Sequence, residues 1–259
     1  MAHSYRALCD EFYINMRLGT QMKLATDRAT IIAFFERIQR LYPNMVNFHQ
    51  DQKHAESCIE EPREDNTYRW LSVETQRLSS GHLNPETPQD AYAYNKSILE
   101  TVPYYMAVST VDLDYLDVLW GFDFGYKGNH HELIAEALLG ETPMGKLLEA
   151  NVGGGAGGAG GAKGINFELS GIVSLSEDTR THARVWIEPR TTPTQIRTGD
   201  FQEEMISLYV IIRQWNGGKR LPELHALHEQ LIEQGEKFVD DHVIGPFLSP
   251  IRDAIARRS

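Results

Sequence analysis

Residues Gly153 to Gly164 read GGGAGGAGGAKG, eight glycines in twelve positions. Such a run cannot sustain a helix or a strand, because glycine loses the most backbone entropy on ordering and brings no side chain to pack. It divides the chain into a stretch at 1–150, where strand-like and helix-like patterns alternate, and one at 165–259, where three strand-like patterns precede two helical ones. The expected fold class is α+β. It has an N-terminal alternating strand/helix half with a sheet and three helices, a glycine-rich connector at 151–164, and a C-terminal antiparallel three-strand meander followed by two helices. The tract contains GxGxxG at Gly155, Gly157 and Gly160, but a dinucleotide loop must follow a strand and open a helix, and here a strand pattern follows. A Walker loop needs Ser or Thr after Gly-Lys, where this chain has Ala162-Lys163-Gly164. The tract reads as a connector.

In the first half, Phe12, Ile14, Met16 and Leu18 recur with period two, the spacing that puts apolar side chains on one face of a strand. Ile31, Phe34, Phe35, Ile38, Leu41 and Tyr42 recur at helical spacing after Thr26 and Asp27, either of which can cap, and stop at Pro43. The acidic segment around Glu56, Glu60, Glu61, Glu64 and Asp65 is weakly patterned and reads as a solvated loop carrying at most one short strand. Tyr68 to Val73 is extended. Thr87, Pro88 and Asp90 then supply a cap, a first-turn proline and a capping-box carboxylate for a helix through Ala91, Tyr94, Ile98 and Val102. Leu116, Val118, Trp120, Phe122 and Phe124 make the most hydrophobic strand face in this half, and a third helix is expected from Asn129 to near Gly140.

In the second half, Ile165 to Leu175 alternates, the SEDT of Ser176 to Thr179 turns the chain, and Ala183, Val185 and Ile187 return antiparallel. Ile206, Leu208, Val210 and Ile212 share one face of the next strand, with Met205, Tyr209 and Ile211 on the other, the pattern of an interior strand. Leu224, Leu227, Leu231, Phe238 and Val239 trace a long helix, and a short one closes at Ile251 to Arg258. The intervening segment Arg190 to Phe201 is long enough to overhang a cleft, which makes Arg190 and Arg197 the candidate ligand-binding residues.

Composition narrows the function classes. Apolar residues are 41 % and charged residues 24 %, so the chain folds rather than staying disordered. A net charge of −11 repels phosphate backbones and anionic membranes, and no apolar run approaches a span, so neither nucleic acid nor membrane is expected as a partner. Cys9 and Cys58 stand alone, with no CxxC, and the N-terminal residues lack a signal-peptide core; a cytoplasmic location follows as the expectation.

Catalytic templates each lack a member. Asn129-His130-His131-Glu132 has Ala135 where HExxH chemistry needs its second histidine, and Asn129 with Glu132 already has capping-box spacing. His225 and His228 share a helix face beside Glu229 but have no further ligands to close a metal site. Asp112 and Asp114 form a DxD better explained as turn aspartates, and neither GxSxG nor a recognisable cysteine-nucleophile pattern occurs. No metal and no cofactor are expected.

Two segments, VLWGFDFGYKGN (Val118 to Asn129) and the pairing of EEMISLYVIIRQW (Glu203 to Trp215) with LPELHALHEQLIEQGEKFVDDHV (Leu221 to Val243), resemble a sporadically distributed family of uncharacterised bacterial proteins of similar length. The resemblance implies an α+β fold and carries no catalytic residues. The leading expectation is therefore a non-catalytic binding or assembly module, a homodimer that presents a sheet face or the Arg190 to Phe201 loop to a protein or small ligand. The alternative is a metal-dependent hydrolase or transferase using His130, His131, His225 or His228 with Glu132 and Glu229.

Overall fold

The structure is a computed structural model that describes residues 5–51, 56–63, 66–140, 142–149, 168–218 and 221–258. The glycine tract lies outside the described residues. Nine strands are present: β1 (Glu11–Thr20), β2 (Asn47–Asp51), β3 (Glu56–Glu60), β4 (Tyr68–Val73), β5 (Arg77–Leu83), β6 (Leu113–Lys127), β7 (Leu169–Ser174), β8 (Thr181–Glu188) and β9 (Glu203–Trp215). They form one antiparallel sheet in the order β2-β3-β4-β5-β1-β6-β9-β8-β7. The fold is mixed α+β, and both halves of the chain enter the same sheet through the pairing of β6 with β9.

The helices are α1 (Arg28–Leu41), α2 (Pro88–Met106), α3 (His130–Ile134), which runs on as a π-helical turn at Ala135–Leu139, α4 (Pro143–Glu149), α5 (Pro193–Thr198), α6 (Leu224–His242) and α7 (Ser249–Arg258). Local chemistry sets their starts. Asp27 accepts the Thr30 amide at 3.1 Å, and Asp90 accepts both the backbone amide and the hydroxyl of Thr87 at 2.8 Å. Asn129 accepts the amides of His131 and Glu132 as the helix cap, but Glu132 does not complete a capping box; it pairs with Arg258 of α7 at 3.2 Å.

One face of the sheet carries the alternating apolar residues: Ile14, Leu18, Trp120, Phe122, Leu208 and Ile212 are fully buried. Helix α2 packs over β1 and β5, and α6 over β6 and β9. Gly235 lets α6 come close, since a Cβ there would overlap the Trp120 ring, whose Nε1–H donates to the Tyr92 hydroxyl at 2.9 Å. Burying side chains of this size stabilises by about 2 kcal/mol or more each.

The opposite face is built from other chemistry. Tyr13 lies over Gly121, Tyr115 over Gly19 and Trp70 over Gly81, each ring occupying the place a Cβ would take. Asp117, only 1 % exposed, receives two hydrogen bonds of 2.6 Å from Arg213, and that guanidinium sits 4.1 Å and 4.7 Å from the ring centroids of Tyr115 and Trp215.

Several expectations change. The acidic segment is not a loop with at most one strand; it supplies β2 and β3. Strand β5, RLSSGHL, has no counterpart among the expected elements, and the Arg190 to Phe201 segment is not simply a loop, because it contains α5 with Thr192 as its cap.

Candidate functional site

A cavity of about 650 Å³ opens on the helix side of the sheet, where β4 and β5 meet the start of α2 and the loop after α1. Its polar wall includes Glu61, Thr67, Arg69, His82, Asn84 and Asp90, with Arg6, Asn44 and Glu86 also lining it. Arg69 and His82 are direct cross-strand partners, so the pleat aims both side chains to one side. Asn84, at φ 46°, bends the chain out of β5; its Oδ1 accepts the Phe12 amide at 2.9 Å and its Nδ2 donates to the Asn66 carbonyl at 2.9 Å. The rim is thus locked to the central strand β1.

Arg69 is held rather than free. Its Nη1 donates to both oxygens of the buried Glu61, at 3.0 Å and 3.3 Å, and its backbone amide donates to Glu61 at 2.8 Å. Its guanidinium carbon stands 5.3 Å from the centroid of the Tyr42 ring. His82 approaches the Thr67 hydroxyl at 3.4 Å through Nε2, and that hydroxyl already spends its hydrogen on the Leu83 carbonyl at 2.9 Å. The proton on the imidazole therefore belongs on Nε2, leaving Nδ1 as a bare acceptor. Burial and then the Arg69 charge push the His82 pKa down to about 4, so the ring is neutral at physiological pH. Two buried atoms on neighbouring residues lack hydrogen-bond partners among the described residues: His82 Nδ1, an acceptor, and Arg69 Nε, a donor. Unpaired buried polar atoms are costly, and these two, of opposite kind, belong to residues that line one cavity.

The residues singled out from sequence lie elsewhere. Arg190 donates from Nη2 to Ser207 at 3.0 Å on the second sheet face, while its backbone amide donates to His130 Nδ1 at 3.1 Å. Arg197 is exposed on α5, so the structure does not bring the two arginines into the cavity. His130 uses both ring nitrogens, the second toward the Tyr126 carbonyl at 3.2 Å, and His131 reaches the Thr191 carbonyl at 3.2 Å. These histidines fasten the turn after β6 to the turn after β8, and burial lowers both pKa values. His228 is buried under α2, its pKa lowered by burial to about 4, while Glu229 pairs with Lys96 at 2.6 Å. Asp112 accepts the amide and hydroxyl of Ser109, a turn role. Burial lifts the Cys9 and Cys58 thiols to about 12, which leaves them without thiolate character. Among the described residues no three His, Cys, Asp or Glu side chains gather where they could hold one metal ion, and no helix is long and apolar enough to cross a membrane.

Sequence reasoning missed the cavity because its key acceptor sits on β5, whose Ser-Ser-Gly-His core hides the strand period. The adjacent Glu61 and Arg69 flank a turn and carry no motif. Compared with known proteins, the chain matches no family model, and no curated protein is similar to it.

Proposed function

We propose that the protein is a non-catalytic binding module whose cavity between β4, β5 and α2 takes a small, uncharged, polar molecule, a polyol or a primary amide. The observation that carries this reading is the pair of buried, unpartnered nitrogens, His82 Nδ1 and Arg69 Nε, on cross-strand partners that both line the cavity. A hydroxyl or carboxamide carries both complementary functions, a donor for the imidazole and an acceptor for the guanidinium. A carboxylate ligand supplies no donor for Nδ1, and Glu61 already meets the charge of Arg69. Turnover is disfavoured by the same chemistry: an imidazole with a pKa near 4 is a weak base and holds no second proton to give at neutral pH.

The test follows the imidazole carbon and proton resonances of His82 while glycerol, ribose or acetamide is titrated in. A saturable shift with at least one probe is expected, weakened at least about tenfold in His82→Phe, since the replacement leaves no acceptor. A folded protein whose His82 resonance answers none of the three would end the reading.

A further inference from the structure

The two edges of the nine-stranded sheet are unlike. The β2 edge, NFHQD, carries charge at Asp51, whereas the β7 edge, LSGIVS, has no charge, no proline and no bulge, the usual devices that keep an edge from pairing. Ile172 is 63 % exposed and Val173 49 % exposed on that edge, which no strand among the described residues pairs with. Beside it, on the helix side, an apolar groove of about 530 Å³ is lined by Leu169, Val173, Leu175, Val185, Phe238 and Phe247.

From this we infer that β7 is the homodimer interface, pairing antiparallel with β7 of a second copy across a two-fold axis normal to the sheet. The inference does not depend on the cavity reading. The strand itself selects the register. Leu175 donates to the Thr181 carbonyl at 2.7 Å toward β8, so by alternation Leu169, Gly171 and Val173 bond inward and the amides and carbonyls of Ser170, Ile172 and Ser174 face outward. Outward residues must pair with outward residues, and residues on the same sheet face must meet. A two-fold axis centred on any residue of the strand meets both conditions, and Ile172 is the centre that also sets Gly171 against Val173. Ile172 then meets its own copy, Ser170 meets Ser174, and Gly171 meets Val173 twice. That last pair is a fit of small to large: nothing approaches within 4 Å of where a Cβ on Gly171 would be, and the valine of the second copy fills that space. Both Gly171 and Val173 line the apolar groove, so the two grooves merge into one trough across the axis. A contact that uses the same residues on both copies closes as a dimer and leaves no β7 edge unpaired.

The test mixes two single-cysteine variants, Gly171→Cys and Val173→Cys, under mild oxidation. The facing pair of this register is non-hydrogen-bonded, with Cα atoms about 4.5 Å apart, within disulfide reach. Cross-linked dimer is expected in the mixture and not in either variant alone; the native thiols, with pKa values near 12, stay out of the reaction. Sedimentation should give a dimer for the native chain and a monomer for Ile172→Lys with an unchanged melting profile at low concentration. A native chain that stays monomeric across a concentration series, an Ile172→Lys variant that still dimerises, or a mixture that does not cross-link while the dimer persists would each overturn the assignment.

Discussion

The two faces of the sheet reach burial by different routes. The helix side excludes water with Ile14, Trp120, Phe122 and Leu208 under α2 and α6. The other side covers itself: rings occupy the space over glycines, and Arg213, clamped by Asp117, lies against both Tyr115 and Trp215. Covered by a second layer, a sheet can use plain hydrocarbon; left to shield itself, it needs wide side chains with polar edges over residues that have no side chain. The helix side should therefore be limited by volume, and the other side by pairing.

The largest effect should come from Trp120→Ala, which empties the fully buried ring site and leaves the Tyr92 hydroxyl without its donor; a loss of about 4 kcal/mol by urea unfolding is expected. Loss under about 1 kcal/mol would mean that α6 collapses readily and that volume does not rule this face. Next comes pH. His228, fully buried on the helix side, has a folded pKa of about 4 against an ordinary 6.5. The unfolded chain binds the extra proton first, so this contribution is intact above pH 6.5 and is lost as pH falls toward 4. Its share is roughly 2 kcal/mol at pH 5, so His228→Leu should flatten the fall in stability between neutral pH and pH 5 by that amount. The buried carboxyls of the other face act oppositely: burial raises the Asp117 and Asp123 pKa values, so their contribution favours the folded state at low pH and fades as pH rises through the folded values. Asp117→Asn and His228→Leu should change the slope of stability against pH with opposite signs, and equal signs would break the contrast.

On the self-covered face, Gly121→Ala should cost about 1–3 kcal/mol because the new methyl meets the Tyr13 ring, and adding Tyr13→Ala should recover part of it. Asp117→Leu alone should cost more than Asp117→Leu with Arg213→Met, because removing one partner leaves a half-buried guanidinium unpaired. The smallest effect belongs to the exposed Lys96 and Glu229 pair, whose loss should leave a thermal melt almost unchanged.

Legibility from sequence followed the same division. The helix side was readable: β1, β6 and β9 announce themselves by period-two hydrocarbon, α1 and α2 by helical stripes with recognisable caps, and α6 by its stripe alone. Strand β5 was not, because its buried positions are polar. Ser80 donates to Asn95 of α2 at 2.8 Å and His82 faces the cavity, so neither writes a hydrophobic mark. Gly81 is small because Trp70 covers it, a relation between strands that no local window contains. Strand β3 has Cys58 and Ile59 buried beside Ser57, too short a run to outweigh its flanking glutamates. Arg190 reads from sequence as a ligand-binding candidate on a loop, whereas in the folded chain its guanidinium donates to Ser207.

The strand order also bears on how the chain reaches this state. The flanks, β2 to β5 and β7 to β9, are meanders of sequence neighbours, yet the middle joins Phe12 to Phe122 and Tyr115 to Trp215. Each flank can zip from nearby turns, while the centre must wait for distant segments to find one another, a topology that slows folding. Loop-closure entropy rises only as the logarithm of length, so several residues added to the stretch between β6 and β7 would scarcely alter that search. The slow step expected of this topology is the joining of the two ribbons through β1 and β6, which lie between them, and the hydrocarbon concentrated on β1, β6 and β9 favours that joining.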